Sequence, residues 1–204
     1  MIFEEPFLHI IQENAIENPI ELSKNIYSSI EWTADPRPDL CPEIYKGEST
    51  TNVFSKFETK EQAEHLFNVF RIDTPAKYIF TSDFQLQKLG GKLDIHTDYN
   101  QIAFDVYKTE LNLDVVEGTF GVCSLADGAL HSITQHIYLP ETDQYPETGA
   151  IFYKKHKDTI LPVKQVKCLP GTYFAYLNTE SSLHSVPKQK HEFNRIVWVS
   201  RLVW

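Results

Sequence analysis

The chain has 204 residues, 42% of them hydrophobic, and a formal net charge of −9. That length encloses one core, and charged residues at 23% are too few for wholesale disorder. The acidic balance disfavours generic binding to nucleic acid or anionic lipid, and no apolar run approaches the roughly 18–20 residues that span a bilayer.

In chain order, residues 18–31 read as a helix. Asn18 precedes a helix-entry proline, Pro19, Glu21 falls in the first turn, and Ile20, Ile26, Tyr27 and Ile30 give a partial apolar face. Residues 33–51 hold Pro36, Pro38 and Pro42 and read as loop, because proline donates no backbone hydrogen bond and restricts its predecessor. Thr59 opens a second helix, with Glu61 and Gln62 in its first turn and Ala63, Leu66, Phe67 and Phe70 on one face. From Lys77 onward the pattern changes to short strands at 78–80, 84–89, 93–96, 102–107, 132–139, 150–154, 163–168, 172–176 and 196–203. Turn signals at 147–149, 169–171 and 185–187 separate the later ones. Helices first and strands after predict an α+β, mainly β chain: one domain over 1–204, with 1–76 a helical support region and 77–204 the strand-built core. Many short strands with 13% aromatic content indicate a sandwich or barrel rather than a parallel sheet.

Cys41, Cys123 and Cys168 are scattered and form no CxxC pair, which fits free thiols in a reducing compartment. The opening MIFEEP carries acid where a signal peptide carries base, so a cytosolic location is expected.

The most informative tripeptide is His96-Thr97-Asp98. Residues i and i+2 of a strand face the same side, so an imidazole and a carboxylate come together. The pair supplies two ligands of a 2-His-1-carboxylate face, or else a structural His–Asp hydrogen bond. A metal face needs a second, distant His, and His184, in the segment SSLHSVP, is the best candidate; its other reading is a surface-loop His beside a turn proline. Arg195 then stands at the mouth of the apolar run Ile196-Val197-Trp198-Val199. An arginine there needs an anionic partner, and its planar fork suits a ligand carboxylate.

HxD, a distal His before a Val-Pro turn, and an Arg on the next strand resemble the 2-oxoglutarate/Fe(II)-dependent dioxygenases, most closely the prolyl-4-hydroxylase-like branch. The resemblance covers roughly 78–204. Within it, the segment SITQHIYLP (132–140) looks like the branch's T-x-x-Y-L strand, YPETGAIF (145–152) its Gly-Gly-x-Leu turn and strand, and PGTYF (170–174) its Pro-Gly strand. The resemblance implies a double-stranded β-helix, of jelly-roll or cupin-like form, with the metal at its open end. It implies that His96, Asp98 and His184 ligate Fe(II), that Arg195 pairs with the far carboxylate of 2-oxoglutarate, and that Tyr138 donates its hydroxyl to the same group. O2 is the second co-substrate. The implied activity is C–H hydroxylation of a protein or peptide prolyl side chain first and of a small amino-acid-like substrate next.

Departures from the pattern carry information. Residues 99–130 are longer than the family's usual interval and read as an inserted hairpin over the site. Ala150 replaces one glycine of the Gly-Gly turn, and Val199 stands where a polar 2-oxoglutarate contact is expected. His9, His65, His131, His136, His156 and His191 read as strand, helix or surface residues. Asp94 shares the face of His96 and could orient it, or lie exposed. The run Lys154-Lys155-His156-Lys157 reads as a solvated face that could steer an anion. Arg201 shares a strand face with Arg195, a spacing that nucleic-acid demethylases of the same superfamily also show, but the acidic balance argues against nucleic acid. A non-catalytic β-helix binding module is the third reading, and it predicts a missing ligand or anchor.

Overall fold

Residue alternation along the last strand explains the architecture. In β14 (Arg195–Val203), Ile196, Trp198 and Leu202 pack with the helices, whereas Val197 and Val199 join a second apolar cluster on the opposite face. A sheet with both faces buried requires a layer on each side, and the chain supplies helices for one and a second sheet for the other.

The computed structural model describes residues 1–36, 41–48, 52–98, 115–117, 123–125, 131–157 and 159–204. The elements that precede β14 begin with β1 (Ile2–Phe3), β2 (His9–Gln12), α1 (Pro19–Ser29), β3 (Thr33–Ala34) and β4 (Ile44–Glu48). A 3-10 turn (Asn52–Phe57), α2 (Lys60–Val69), β5 (Ile79–Gln87) and β6 (Leu93–His96) follow. Next come β7 (Val115–Glu117), β8 (Cys123–Leu125), β9 (Ser132–Pro140), β10 (Ile151–His156), β11 (Thr159–Gln165), β12 (Tyr173–Leu177) and β13 (His184–Val186). The large sheet runs β1-β2-β12-β9-β14-β5-β4-β3 and the small one β11-β10-β13-β6. From β5 to β14, apart from the separate β7–β8 pair, the chain passes back and forth between the two sheets, and every pairing among the described residues is antiparallel, the winding of a double-stranded β-helix. The expected fold class is therefore the one observed.

The helices form where the sequence places them. Pro19 opens α1, and the Thr59 hydroxyl accepts the Gln62 N–H at 3.1 Å to cap α2. Both cover the outer face of the large sheet, with Ile26, Ala63, Leu66 and Phe67 buried against Ile137, Ile196 and Trp198. The Ser23 hydroxyl donates to the Leu139 carbonyl at 2.6 Å, which fixes α1 on β9. Gln62 of α2 reaches Gln135 and Tyr173 at 3.2 Å each.

Several expectations are corrected. The segment 33–51, read as loop, holds β3 and β4, because β4 pairs along β5 from Ile44↔Gln87 to Glu48↔Asp83. The region 1–76 is thus not only helical support: it also adds β1 and β2 beside β12. The runs at 78–80 and 84–89 are one strand, β5, and the turn at 185–187 begins inside β13. Within 99–130, β7 and β8 pair as a hairpin, while the strand expected at 102–107 and any cover over the site lie outside the described residues. Cys41 and Cys168 are buried free thiols.

Candidate active site

β6 ends at His96, and Asp98 follows on the same side two residues later. His184 opens β13 and is the direct register partner of His96, with ring centroids 4.3 Å apart. One ligand atom from each of His96, Asp98 and His184 lies within 4.8 Å of the others. His96 Nε2 is 3.7 Å from Asp98 Oδ1, and His184 Nε2 is 3.8 Å from Asp98 Oδ2. The sequence-predicted trio is therefore assembled.

Each imidazole is oriented by its own backbone. The Nδ1 of His96 lies 2.6 Å from the Asp94 carbonyl and that of His184 3.0 Å from the Ser182 carbonyl. Donation from Nδ1 leaves both Nε2 lone pairs free for the shared centre. Asp94 thus orients His96 through its main chain, while its carboxylate pairs with Lys92 at 2.9 Å. Electrostatics favours the ligand forms. Burial alone would raise the Asp98 carboxyl, but His184, Arg201 and His96 outweigh it and hold the group well below the usual carboxylate range. Burial lowers His184 to about 4, so its imidazole is neutral near pH 7 and coordinates without first losing a proton.

Tyr176, on β12, was not among the expected site residues. Its hydroxyl donates to Asp98 Oδ2 at 2.8 Å and lies 3.1 Å from His184 Nε2. The Thr134 hydroxyl approaches the same Asp98 oxygen at 3.5 Å and accepts from Asn178 at 2.7 Å.

Arg195 begins β14, faces the same interior from the large sheet and is 3% exposed. Its guanidinium lies 4.9 Å over the Tyr138 ring and donates from Nη1 to the Gln87 side-chain amide oxygen, Oε1. The Gln87 amide in turn reaches the Gly91 and Pro187 carbonyls, tying Arg195 to the segments beside β6 and β13. Among the described residues no carboxylate pairs with Arg195, and its Nε has no hydrogen-bond partner. A buried cation without an anion is costly, so this pocket fits an anionic ligand. Tyr138 is 1% exposed; its hydroxyl accepts the Ala150 N–H at 2.7 Å, and burial pushes it up to about 12. Gly149, one residue earlier, packs so tightly that a Cβ there would lie 1.7 Å from the Val166 carbonyl oxygen.

The other histidines separate. His131 and His156 are exposed, and His191 stacks on Tyr145 at 3.9 Å. His136, read as an ordinary strand residue, faces the interior of the barrel, with its ring on Phe174 at 4.4 Å. Arg201 also faces inward and acts electrostatically on Asp98 and His184.

No family model and no curated protein matches the sequence. Solved structures do. The chain is similar to a prolyl-4-hydroxylase from Pseudomonas putida, at 11% identity and a TM-score of 0.57, over 95% of this chain and 91% of that one. It is similar to HygX from Streptomyces hygroscopicus, solved with nickel, 2-oxoglutarate and hygromycin B, at 12% identity and a TM-score of 0.56 over 95% and 82%. A prolyl hydroxylase from Trichoplax adhaerens, in complex with a peptide fragment of the hypoxia inducible factor oxygen degradation domain, matches at 10% identity and a TM-score of 0.52 over 95% and 82%. The fold of this chain is the one these oxygenases share.

Proposed function

We propose that this protein is a 2-oxoglutarate- and Fe(II)-dependent oxygenase that hydroxylates a C–H bond. The observation that carries the reading is the pairing of two features that face one interior from different sheets: a convergent His96–Asp98–His184 cluster at β6 and β13, and a buried Arg195 on β14 that has no carboxylate partner among the described residues. The donor set suits a metal with open coordination positions, and a guanidinium that no carboxylate neutralises among the described residues suits the far carboxylate of the keto acid. When bound together, Fe(II), O2 and 2-oxoglutarate supply the oxidation of C–H to C–OH, coupled to decarboxylation of the keto acid to succinate.

The chain's own residues set the conditions. Asp98 contributes the anionic ligand and His184 a neutral one. Tyr176 holds one Asp98 oxygen by a hydrogen bond, which leaves the other to face the centre. Arg195, with Tyr138 beneath it, binds and orients the keto acid, and Phe152, Phe174 and Val199 line the same interior and exclude water.

A prolyl side chain in a protein or peptide is the leading substrate and a small amino-acid-like molecule the next. Two of the similar structures are prolyl hydroxylases, while HygX was solved with hygromycin B. The inward placement of both Arg195 and Arg201 keeps the demethylase alternative in view, but a net charge of −9 opposes a phosphate backbone. A cytosolic setting belongs to the same reading, supported by the free thiols of Cys41 and Cys168. No helix among the described residues is long and apolar enough to cross a membrane.

The test is anaerobic addition of Fe(II) and 2-oxoglutarate, read by the weak visible charge-transfer band. Wild type gives the band and His184→Ala does not. A folded wild-type protein with no band overturns the proposal and favours a binding module. With the band established, succinate release on addition of prolyl peptides or free amino acids decides the substrate class.

A further inference from the structure

The interior face of β9 reads Thr134, His136, Tyr138 from one end to the other. Thr134 stands at the ligand cluster, 3.5 Å from Asp98, and Tyr138 lies beneath Arg195. His136 lies between them, about 6.7 Å along the strand from each. That spacing is comparable with the span of a five-carbon dicarboxylate. A keto acid anchored at Arg195 and reaching the His96–Asp98–His184 cluster must therefore run past the His136 ring, with its keto-acid head beside it.

The His136 ring is flanked on both sides by apolar residues. Its direct cross-strand neighbours are Phe174 on β12 and Val199 on β14, both apolar. Phe174 holds it in a parallel stack, at 4.4 Å and 4° between planes, and Tyr176 extends the stack at 5.7 Å. The His136 Nδ1 is buried and has no hydrogen-bond partner among the described residues. A polar atom oriented this firmly and left unsatisfied marks a place where something else completes it. Burial also keeps the ring neutral, so it has one N–H to donate. Val199, where a polar contact to 2-oxoglutarate was expected, sits directly opposite His136, so a polar ring stands on the facing strand at that level.

We infer that His136 is a further 2-oxoglutarate-binding residue, which hydrogen-bonds the keto-acid head from the β9 side. The inference rests on the oxygenase reading and adds a contact that the resemblance does not assign. It is tested by anaerobic titration of 2-oxoglutarate into Fe(II)-loaded wild type, His136→Phe and His136→Gln, with metal affinity measured separately by calorimetry. His136→Phe keeps the stack and removes the polar atoms. It raises the Kd for 2-oxoglutarate about tenfold and leaves metal affinity unchanged, while His136→Gln recovers most of the loss. A His136→Phe Kd within about twofold of wild type overturns the inference and assigns the ring to water. Independently of any substitution, the His136 ring resonance in isotope-labelled, Zn(II)-loaded protein shifts on adding 2-oxoglutarate, and a resonance that stays put overturns the inference too. A wild type that binds no keto acid at all instead removes the oxygenase reading on which it rests.

Discussion

Asp98 shows how a buried carboxylate is kept both charged and aimed. It sits among His96, His184 and Arg201, which hold it ionised, while Tyr176 and Thr134 satisfy one of its oxygens. Tyr176 is a positioning residue in this arrangement. Tyr176→Phe removes one hydroxyl without changing the ring that packs on Phe7 and Phe152. We expect metal affinity to fall about tenfold with the melting temperature nearly unchanged, read by anaerobic metal titration beside thermal unfolding. Unchanged affinity would leave Thr134 as the group that orients Asp98. His96, Asp98, His184 and Arg195 were visible in the sequence because together they form an ordered pattern, HxD, a distal His before a Val-Pro turn and an Arg on the next strand, although each alone has an ordinary reading. Tyr176, Gln87 and His136 were not visible for the opposite reason: a tyrosine, a glutamine and a histidine in strands are ordinary residues. Only the crossing of β12, β5 and β9 past the same cavity gives them roles. Alternation would have placed Tyr176 and Phe174 on one face, but nothing in spacing says that this face meets Asp98 from another sheet.

At the level of elements, the segment just before β10 passes close to the segment just after β11, at Gly149 and Val166. Gly149 has an ordinary φ of −76°, so glycine is needed there for space and not for backbone conformation. Gly149→Ala forces its Cβ against the Val166 carbonyl and displaces Ala150, whose N–H is bonded to Tyr138. The expected cost is about 1–3 kcal/mol in urea unfolding, with weaker 2-oxoglutarate binding because Tyr138 loses its support under Arg195. The long elements were legible: α1, α2, β9, β12 and β14 each carry enough periodic residues to declare their type. The short ones were not. β1, β3 and β13 have only two or three residues, below the length at which a period exists, and β4 is recruited by pairing with β5 across a proline-rich stretch. Their strand character is supplied by neighbours rather than by their own composition.

Across the whole molecule, stability and chemistry are divided between the two faces of the large sheet. The outer face joins the helices in a cluster built around Trp198, Phe67 and Leu66, and the inner face turns His136 and Arg195 toward an interior that Asp98 and His184 enter from the small sheet. The inner groups make the fold acid-sensitive when no metal is bound. His184 titrates near 6.5 when unfolded and about 4 when folded, so the unfolded chain binds more protons across that window and stability falls as pH drops from 6.5 toward 4. His136 is shifted the same way, and below 3.8 the depressed Asp98 adds to the loss. Melting temperature against pH for the metal-free protein should show this decline, and His184→Ala should make it shallower. An equal slope in the variant would place the acid sensitivity elsewhere.

The strand that comes last among the described elements, β14, lies between β9 and β5 and is paired with each along its full length. During synthesis, therefore, β9 and β5 have no bridge until the ribosome has delivered residues 195–203. The same stretch brings Arg195. Closure of the sheet and arrival of the buried guanidinium are thus a single event in the life of each chain. On the proposed reading, a nascent polypeptide that already displays His96, Asp98 and His184 still lacks the residue that would retain the keto acid, so oxidising chemistry would be withheld until the barrel around it is complete.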